Sequence, residues 1–460
     1  MVLQVVYTAA TSLFPSKYYL HIAVSAGVLL VTYAFAQGRT TNRERDLHAR
    51  VIMITGAFTP LGLTLLTALA ARGAHIIAVS PYPLDHPYPS LLIPLLRSTT
   101  GNENIFAECA DLARTASIRE FCTRFLTGGD QRLDALVFAH EYQPVGTLFG
   151  GRQGAKERAE RRERASLATF LMATLLLPAL LVEPVERDIR IVTLVNPFYA
   201  ASAPKFSKNL SEAGSDTTAS TPLFLAEGFR ALRTAVLMRH LQRILDSLPN
   251  RASAPAPSEQ EAGQAEVGHP SNIIAVSACP GISRKDIIAP LLCAERDSDD
   301  GCYALLFPFS ALFMKSPTAA AQTVLHALFL PTPIKRALAH VDATINPSPA
   351  APPAHSVTGD KTVEPTIVLE EVLKPGALYR ECAVVQVAVP PLLMSDARSE
   401  PEKGRTGRKT NAEESAAPGF PDDGEFGGEA VGRAVWEWYE ERLKRWEALE
   451  KAEGEVAGKA

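Results

Sequence analysis

The stretch from Val51 to Val79 restricts the fold more than any other part of the chain. Val51-Ile52-Met53-Ile54 is a short apolar run suited to a strand buried on both faces. It enters the turn Thr55-Gly56-Ala57-Phe58-Thr59-Pro60-Leu61-Gly62, and an apolar helical stretch follows through Ala71. Arg72-Gly73-Ala74 closes that helix and His75–Val79 reads as a second strand. Strand, glycine turn, helix, strand is the unit that seats phosphates on a helix N-terminus, and it predicts a Rossmann-like, doubly wound parallel α/β sheet. A chain of 460 residues exceeds one average domain, but its 34 prolines point to linkers rather than to a larger core. Lys+Arg 46 against Asp+Glu 50 gives a net charge of −4, which argues against nucleic acid as a partner. Six widely spaced cysteines show no metal-ligand spacing and read as reduced thiols.

The turn resembles that of the short-chain dehydrogenase/reductase superfamily, and further likenesses follow in chain order. Asp111-Leu112 with Ser117-Ile118 resembles the segment after the family's third strand, and Asp134–Val137 its fourth strand. Phe170-Leu171 through Leu175-Leu176-Leu177-Pro178 is similar to the long helix of the membrane-associated, retinol-dehydrogenase-like members. Arg190-Ile191-Val192 resembles the fifth strand, Cys279-Pro280-Gly281 the turn after the sixth, and Ser316-Pro317 to Ala327 the late helix. The chain also resembles divergent SDR-like proteins found in fungi. The ordered series covers roughly residues 50–330 and is more specific than any one motif.

The resemblance implies four residues for proton transfer, and this chain departs from all four. The serine position falls on Asn196 and the helix asparagine on Ala165. The tyrosine position falls on Ala226 or Glu227 and the lysine on Arg230 or Ala231, depending on register in a helix expected over Leu225–Arg243. Tyr199 with Lys205 offers a displaced pair at the wrong spacing. On the cofactor side, Thr55, Gly56, Leu61, Gly62 and Asp111 remain compatible with NAD(P), but Pro60 replaces the middle glycine and removes an N–H. Phe138-Ala139-His140-Glu141 stands where the family has Asn-Asn-Ala-Gly. His140 reads as filling the vacated wall, and Glu141 as a carboxylate near the phosphates or ribose. Weak cofactor binding and a degenerate oxidoreductase are expected, with a scaffolding or regulatory role. The alternatives are an active NAD(P)-dependent oxidoreductase on an apolar carbonyl or alcohol with a different proton donor, and a lipid-binding module.

Residues 18–36, without a formal charge, approach the length needed to cross a bilayer. Arg39, Arg43, Arg45 and Arg50 follow and only Lys17 precedes, so an uncleaved single-pass anchor with the bulk of the chain in the cytosol is expected. A secretory leader ending at Ala34-Phe35-Ala36 and a core helix are the competing readings. ER or lipid droplet is the favoured address, with the mitochondrial outer membrane as the other.

The expected organisation is an N-terminal segment 1–17, the anchor 18–36, and an SDR-like domain 50–345 with disordered insertions at 205–220 and 250–270. An extension of open packing at 363–394 and a linker at 395–430 then lead to an amphipathic helix at 431–452. In that helix Trp436, Tyr439, Leu443 and Trp446 form one stripe, which would dock on its own domain or hold a protein partner. The basic run Arg152–Arg164 reads as a solvated helix face, or as a membrane-surface patch.

Overall fold

The computed structural model describes residues 19–128, 132–143, 152–184, 187–212, 221–248, 271–292, 300–336, 371–392 and 423–457. One sheet organises the domain. Its strands are β1 (Val51–Thr55), β2 (His75–Ser80), β3 (Ile105–Cys109), β4 (Ala135–Phe138), β5 (Ile189–Leu194), β6 (Ile273–Cys279), β7 (Leu378–Arg380) and β8 (Ala383–Val385). They lie in the order β3-β2-β1-β4-β5-β6-β7-β8, parallel throughout except where β8 returns antiparallel to β7. The winding reverses between β1 and β4, which opens a crevice beyond their carboxyl ends at Thr55 and Phe138.

Because the central strands are covered on both faces, they are nearly uninterrupted apolar runs: β4, β5 and β6 are buried at every position. One face carries α2 (Pro60–Ala70), α3 (Pro87–Thr100) and the late helix Pro317–Phe329. The other carries α4 (Thr115–Thr127), α5 (Arg152–Val182) and α6 (Leu223–Ser247). Ahead of the sheet, α1 (Tyr19–Gln37) is long and apolar enough to cross a membrane, and none of its residues is buried. Its start matches the expected anchor to within a residue, Tyr18 lying outside the described part. The connection from α1 to β1 is fastened to the domain: Arg45 pairs with Asp188 at 2.5 Å, Arg50 with Asp134 at 2.6 Å, and Leu47 is buried.

Several boundaries differ from expectation. Phe206–Glu212 is a helix with Phe206 in the core, so the first part of the 205–220 insertion is ordered by apolar burial, and 213–220 lies outside the described residues. The insertion at 250–270 lies wholly outside them, as do 395–422 of the linker. The linker closes sooner than its composition suggests: Gly424, Gly427 and Gly428 take positive φ, turning the chain into the helix Gly428–Ala457. The extension at 363–394 supplies β7 and β8 within its described residues, 371–392, and so lengthens the sheet edge.

In chain order the remaining helices are α7 (Asp300–Phe313), α8 (Pro317–Phe329) and α9 (Gly428–Ala457). The tryptophan helix α9 docks on its own domain, across α6 and α5. Tyr439 and Trp446 are buried, with Trp436 and Leu443 packed beside them. Phe170 of α5 meets the Trp436 ring edge-on at 5.0 Å and stacks on Tyr439 at 5.3 Å. Farther along, the Glu450 carboxylate accepts from the Thr115 N–H at 2.9 Å and so caps α4. Replacing Trp446 by alanine should lower the free energy of unfolding by about 3–5 kcal/mol, the cost of a buried large-to-small change, as read by denaturant titration of the purified chain.

Candidate functional site

The glycine turn forms because Gly56 and Gly62 must lie close together. Gly56 sits at φ +67°, and a Cβ there would come within 2.7 Å of the His140 backbone nitrogen. A Cβ on Gly62 would come within 2.2 Å of the Gly56 carbonyl oxygen. Thr59 caps α2, its hydroxyl accepting from the Gly62 N–H at 3.0 Å, and Pro60 occupies the first helical turn, where a missing N–H is tolerated.

A dinucleotide would place its pyrophosphate against the free N–H groups of that turn. Here the protein uses them itself. Pro60 has none, the Gly62 N–H goes to Thr59 Oγ1, and the Leu63 N–H goes to the Thr59 carbonyl at 2.8 Å. The Leu61 N–H donates to Asp286 Oδ1 at 3.0 Å. Asp286 is fully buried and is held from several sides: Gln143 Nε2 donates to the same oxygen at 2.8 Å, and Ser283 Oγ donates to Oδ2 at 2.6 Å. Tyr142 braces the turn that carries Asp286, donating its hydroxyl to the Gly281 carbonyl at 2.8 Å and accepting from the Ser283 N–H at 3.1 Å. A carboxylate therefore sits on the helix N-terminus where a phosphate would sit. The residues in this arrangement do not fit a dinucleotide pyrophosphate at the start of α2, which would meet the Asp286 carboxylate and find the Leu61, Gly62 and Leu63 donors already used.

Beyond β4, His140 bridges the crevice. Its Nδ1 lies 2.7 Å from Thr55 Oγ1, and its Nε2 lies 2.9 Å from the Ala165 carbonyl and 3.3 Å from Thr169 Oγ1. The residue keeps some surface access, but its ring lies inside the protein. That desolvation lowers its pKa, against an opposing pull from Glu141.

Of the positions implied for proton transfer, Asn196, Glu227 and Arg230 gather in a buried polar cluster, while Ala165 meets His140 through its carbonyl. Glu227 pairs with Arg162 from α5 and with Arg230 Nη2 at 2.9 Å. Arg230 also donates to the Glu141 carbonyl at 2.9 Å, and its Nη1 lies 3.6 Å from the Glu141 carboxylate. Burial weighs against the charged form of Arg230, but Glu227 and Glu141 outweigh it and raise its pKa. Asn196 reaches Glu227 at 3.4–3.5 Å through its side-chain amide. Thr234 donates to Glu141 Oε2 at 2.7 Å, and Tyr439 of α9 lies 2.7 Å from Ser166 Oγ and 3.4 Å from Thr234 Oγ1. Glu141, expected near the phosphates, thus faces α6 instead.

Thr55, Gly56, Leu61 and Gly62 lie together in the turn after β1, and the Asp111 carboxylate, after β3, is paired with Arg114 at 2.8 Å. Tyr199 is buried and unable to enter the cluster from a loop: it lies in the one-turn helix Tyr199–Ser202. Among the residues of the site not expected from sequence are Arg162, Asp286 and Tyr439. Arg162 was hidden in a basic run, although it continues the inward stripe Ser166, Thr169, Ala173 at helical spacing. Asp286 had the signal Ser283-x-x-Asp286, a helix-capping pattern. Tyr439 had no local signal for where it would dock.

No family model matches the chain. It is 25% identical over 318 residues to an uncharacterized oxidoreductase of Schizosaccharomyces pombe, covering 68% of this chain and 78% of that protein. It is 30% identical over 185 residues to an uncharacterized oxidoreductase of Saccharomyces cerevisiae, covering 38% of this chain and 45% of that protein. A third match, 28% over 165 residues, is to dehydrogenase/reductase SDR family member 13 of Homo sapiens, covering 35% of this chain and 41% of that protein. The chain thus spans less than half the length of the second and third. These relatives agree with the resemblance to short-chain dehydrogenase/reductases carried by the ordered motifs.

Two outcomes follow from this geometry. Glu227→Ala leaves Arg162 and Arg230 buried without their shared carboxylate, and should cost about 3–5 kcal/mol of stability. Replacing all three by apolar residues of similar volume should cost far less, as equilibrium unfolding of both variants would measure. For His140, the folded ring has the lower pKa, so below the unfolded value of about 6.5 the unfolded state binds more protons. Its contribution to stability is complete above that value and is lost as pH falls toward the folded pKa. The melting temperature should therefore drop between pH 7 and 5, and less steeply in His140→Gln.

Proposed function

We propose that this chain is a membrane-anchored protein of oxidoreductase ancestry whose nucleotide seat and proton-transfer positions have become a closed polar core, leaving a scaffolding or regulatory role. The observation that carries this reading is the Asp286 carboxylate on the Leu61 N–H, which uses the donor a pyrophosphate would need. The family's tyrosine–lysine pair falls on Ala226 and Arg230 or on Glu227 and Ala231, and neither register supplies a phenol; the phenol that does lie near Arg230, that of Tyr439, sits against Ser166 with its pKa pushed up to about 12 by burial. The membrane part of the reading rests on α1, apolar along its length and unburied. The arginines at 39, 43, 45 and 50 that follow it favour a cytosolic domain.

A second reading, an active NAD(P)-dependent oxidoreductase on an apolar substrate, is favoured by the names of the relatives. Opening the site would require Asp286 to leave Leu61, which breaks its bonds to Gln143 and Ser283 unless the turn moves with them. The two readings part on affinity. With the full chain in detergent micelles, titration with NADH and with NADPH should give no saturable change in nicotinamide fluorescence up to about 1 mM, a binding free energy weaker than about −4 kcal/mol. A micromolar dissociation constant for either nucleotide would overturn the closed-core reading in favour of the second.

A further inference from the structure

The helix α7 is out of place on a protein surface in water. Over Leu305–Phe313 it exposes Leu305, Leu306, Phe307, Phe309 and Phe313, with Leu305 at 79% and Phe309 at 57% of full exposure. Surfaces of soluble chains seldom gather so many large apolar groups without covering them. On the inward side Ser310 is buried, its hydroxyl donating to the Phe307 carbonyl at 2.9 Å, so the helix is seated and its apolar face turned outward.

What lies beside that face indicates what covers it. α7 packs against α1, and the carboxyl ends of the two helices are fastened together. Gln37, the last residue of α1, donates to the Met314 carbonyl at 3.3 Å. Its side-chain oxygen accepts from the Ser316 N–H at 3.1 Å and from Ser316 Oγ at 2.9 Å. Both helices become polar at this latch. Arg39 follows on one strand of chain, and Lys315, paired with Glu381, on the other. Before the latch the described faces are apolar on both, including Tyr33 and Phe35 of α1.

We infer that α7 is a second membrane-contacting element, lying in the interface of the same bilayer that α1 crosses, with its exposed leucine and phenylalanine side chains in the acyl boundary. The inference rests on the reading of α1 as a span. The 14 residues of α7 are too few to cross a bilayer, so the helix lies along the interface rather than through it. The exposed guanidinium of Arg39 at the latch suits the headgroup layer. This sets the bilayer next to the closed phosphate seat, because Lys315 exchanges backbone hydrogen bonds with Ile282 and Arg284, just ahead of Asp286. The cleft mouth is then a lipid-facing one.

The test is photocrosslinking of the full chain in phosphatidylcholine vesicles, with p-benzoylphenylalanine in place of Phe309. The same group in place of Val28 reports on α1, and in place of Leu449, exposed on α9, it reports on the solvent side. Mass spectrometry should find lipid adducts at 309 at about the level seen at 28, and at least about tenfold above those at 449. Adducts at 28 with none at 309 overturn the inference and leave the anchor standing, whereas loss at both sites overturns the two together. Chain-to-chain crosslinks at 309 in place of lipid adducts also overturn it, since a second copy would then cover the face.

Discussion

Glu227 is the side chain on which the interior of this protein depends. Its carboxylate lies between guanidinium groups from two helices, Arg162 of α5 and Arg230 of α6, and Arg230 carries the connection on to Glu141 beyond β4. Two positive and two negative side chains share a space from which water is largely removed, so each is tolerable only because the others are present. Such a cluster adds little net stability over an apolar core of the same shape. Its effect is on specificity of packing, because α5, α6 and the β4 loop cannot shift without stranding a charge. Tyr439 and Trp446 of α9 complete the seal from the far end of the chain, which is how a helix beyond a long linker comes to belong to the site.

The second closure, at α2, obeys the same electrostatics in a different place. A helix N-terminus attracts negative charge, worth about 0.3–1 kcal/mol at a surface and up to about 2 where partly buried. In a nucleotide-binding protein that attraction is left open for phosphate. In this structure Asp286 accepts there from the Leu61 N–H, and Pro60 lacks one of the donors a phosphate would use. The two closures reinforce each other, since Gln143 follows directly on the Glu141-Tyr142 segment and binds the same carboxylate oxygen as Leu61.

Much of the fold was legible in the sequence because it rests on local signals. The run Val51–Ile54, the glycine turn and the Trp436/Tyr439/Trp446 stripe each declare a strand, a turn or a helix through spacing alone. β7 did not, because a strand of three residues is too short to carry a period. In the site, the departures from the family pattern at Ala165, Asn196, Glu227 and Arg230 could be read by comparison with that pattern. The contacts these residues make could not. The partners Arg162, Thr234 and Tyr439 come from distant segments, and only tertiary packing says that one arginine of a basic run turns inward while Arg161 beside it stays exposed.

The glycine turn shows why a retained motif is weak evidence for a retained ligand. Gly62 is required because any Cβ would strike the Gly56 and Ala57 carbonyl oxygens, and Gly56 because its positive φ brings the chain against His140. Both demands come from the approach of α2 to β1 and hold whether or not a phosphate is present. The middle position is different: its glycine serves backbone approach to the ligand, and there the chain has proline, which the helix start accepts. The turn thus keeps the residues the fold needs and has changed the one the ligand needs. That division, at three positions of one turn, is the physical reason that the same sequence reads as a nucleotide-binding fold and yet has its phosphate seat filled by its own aspartate.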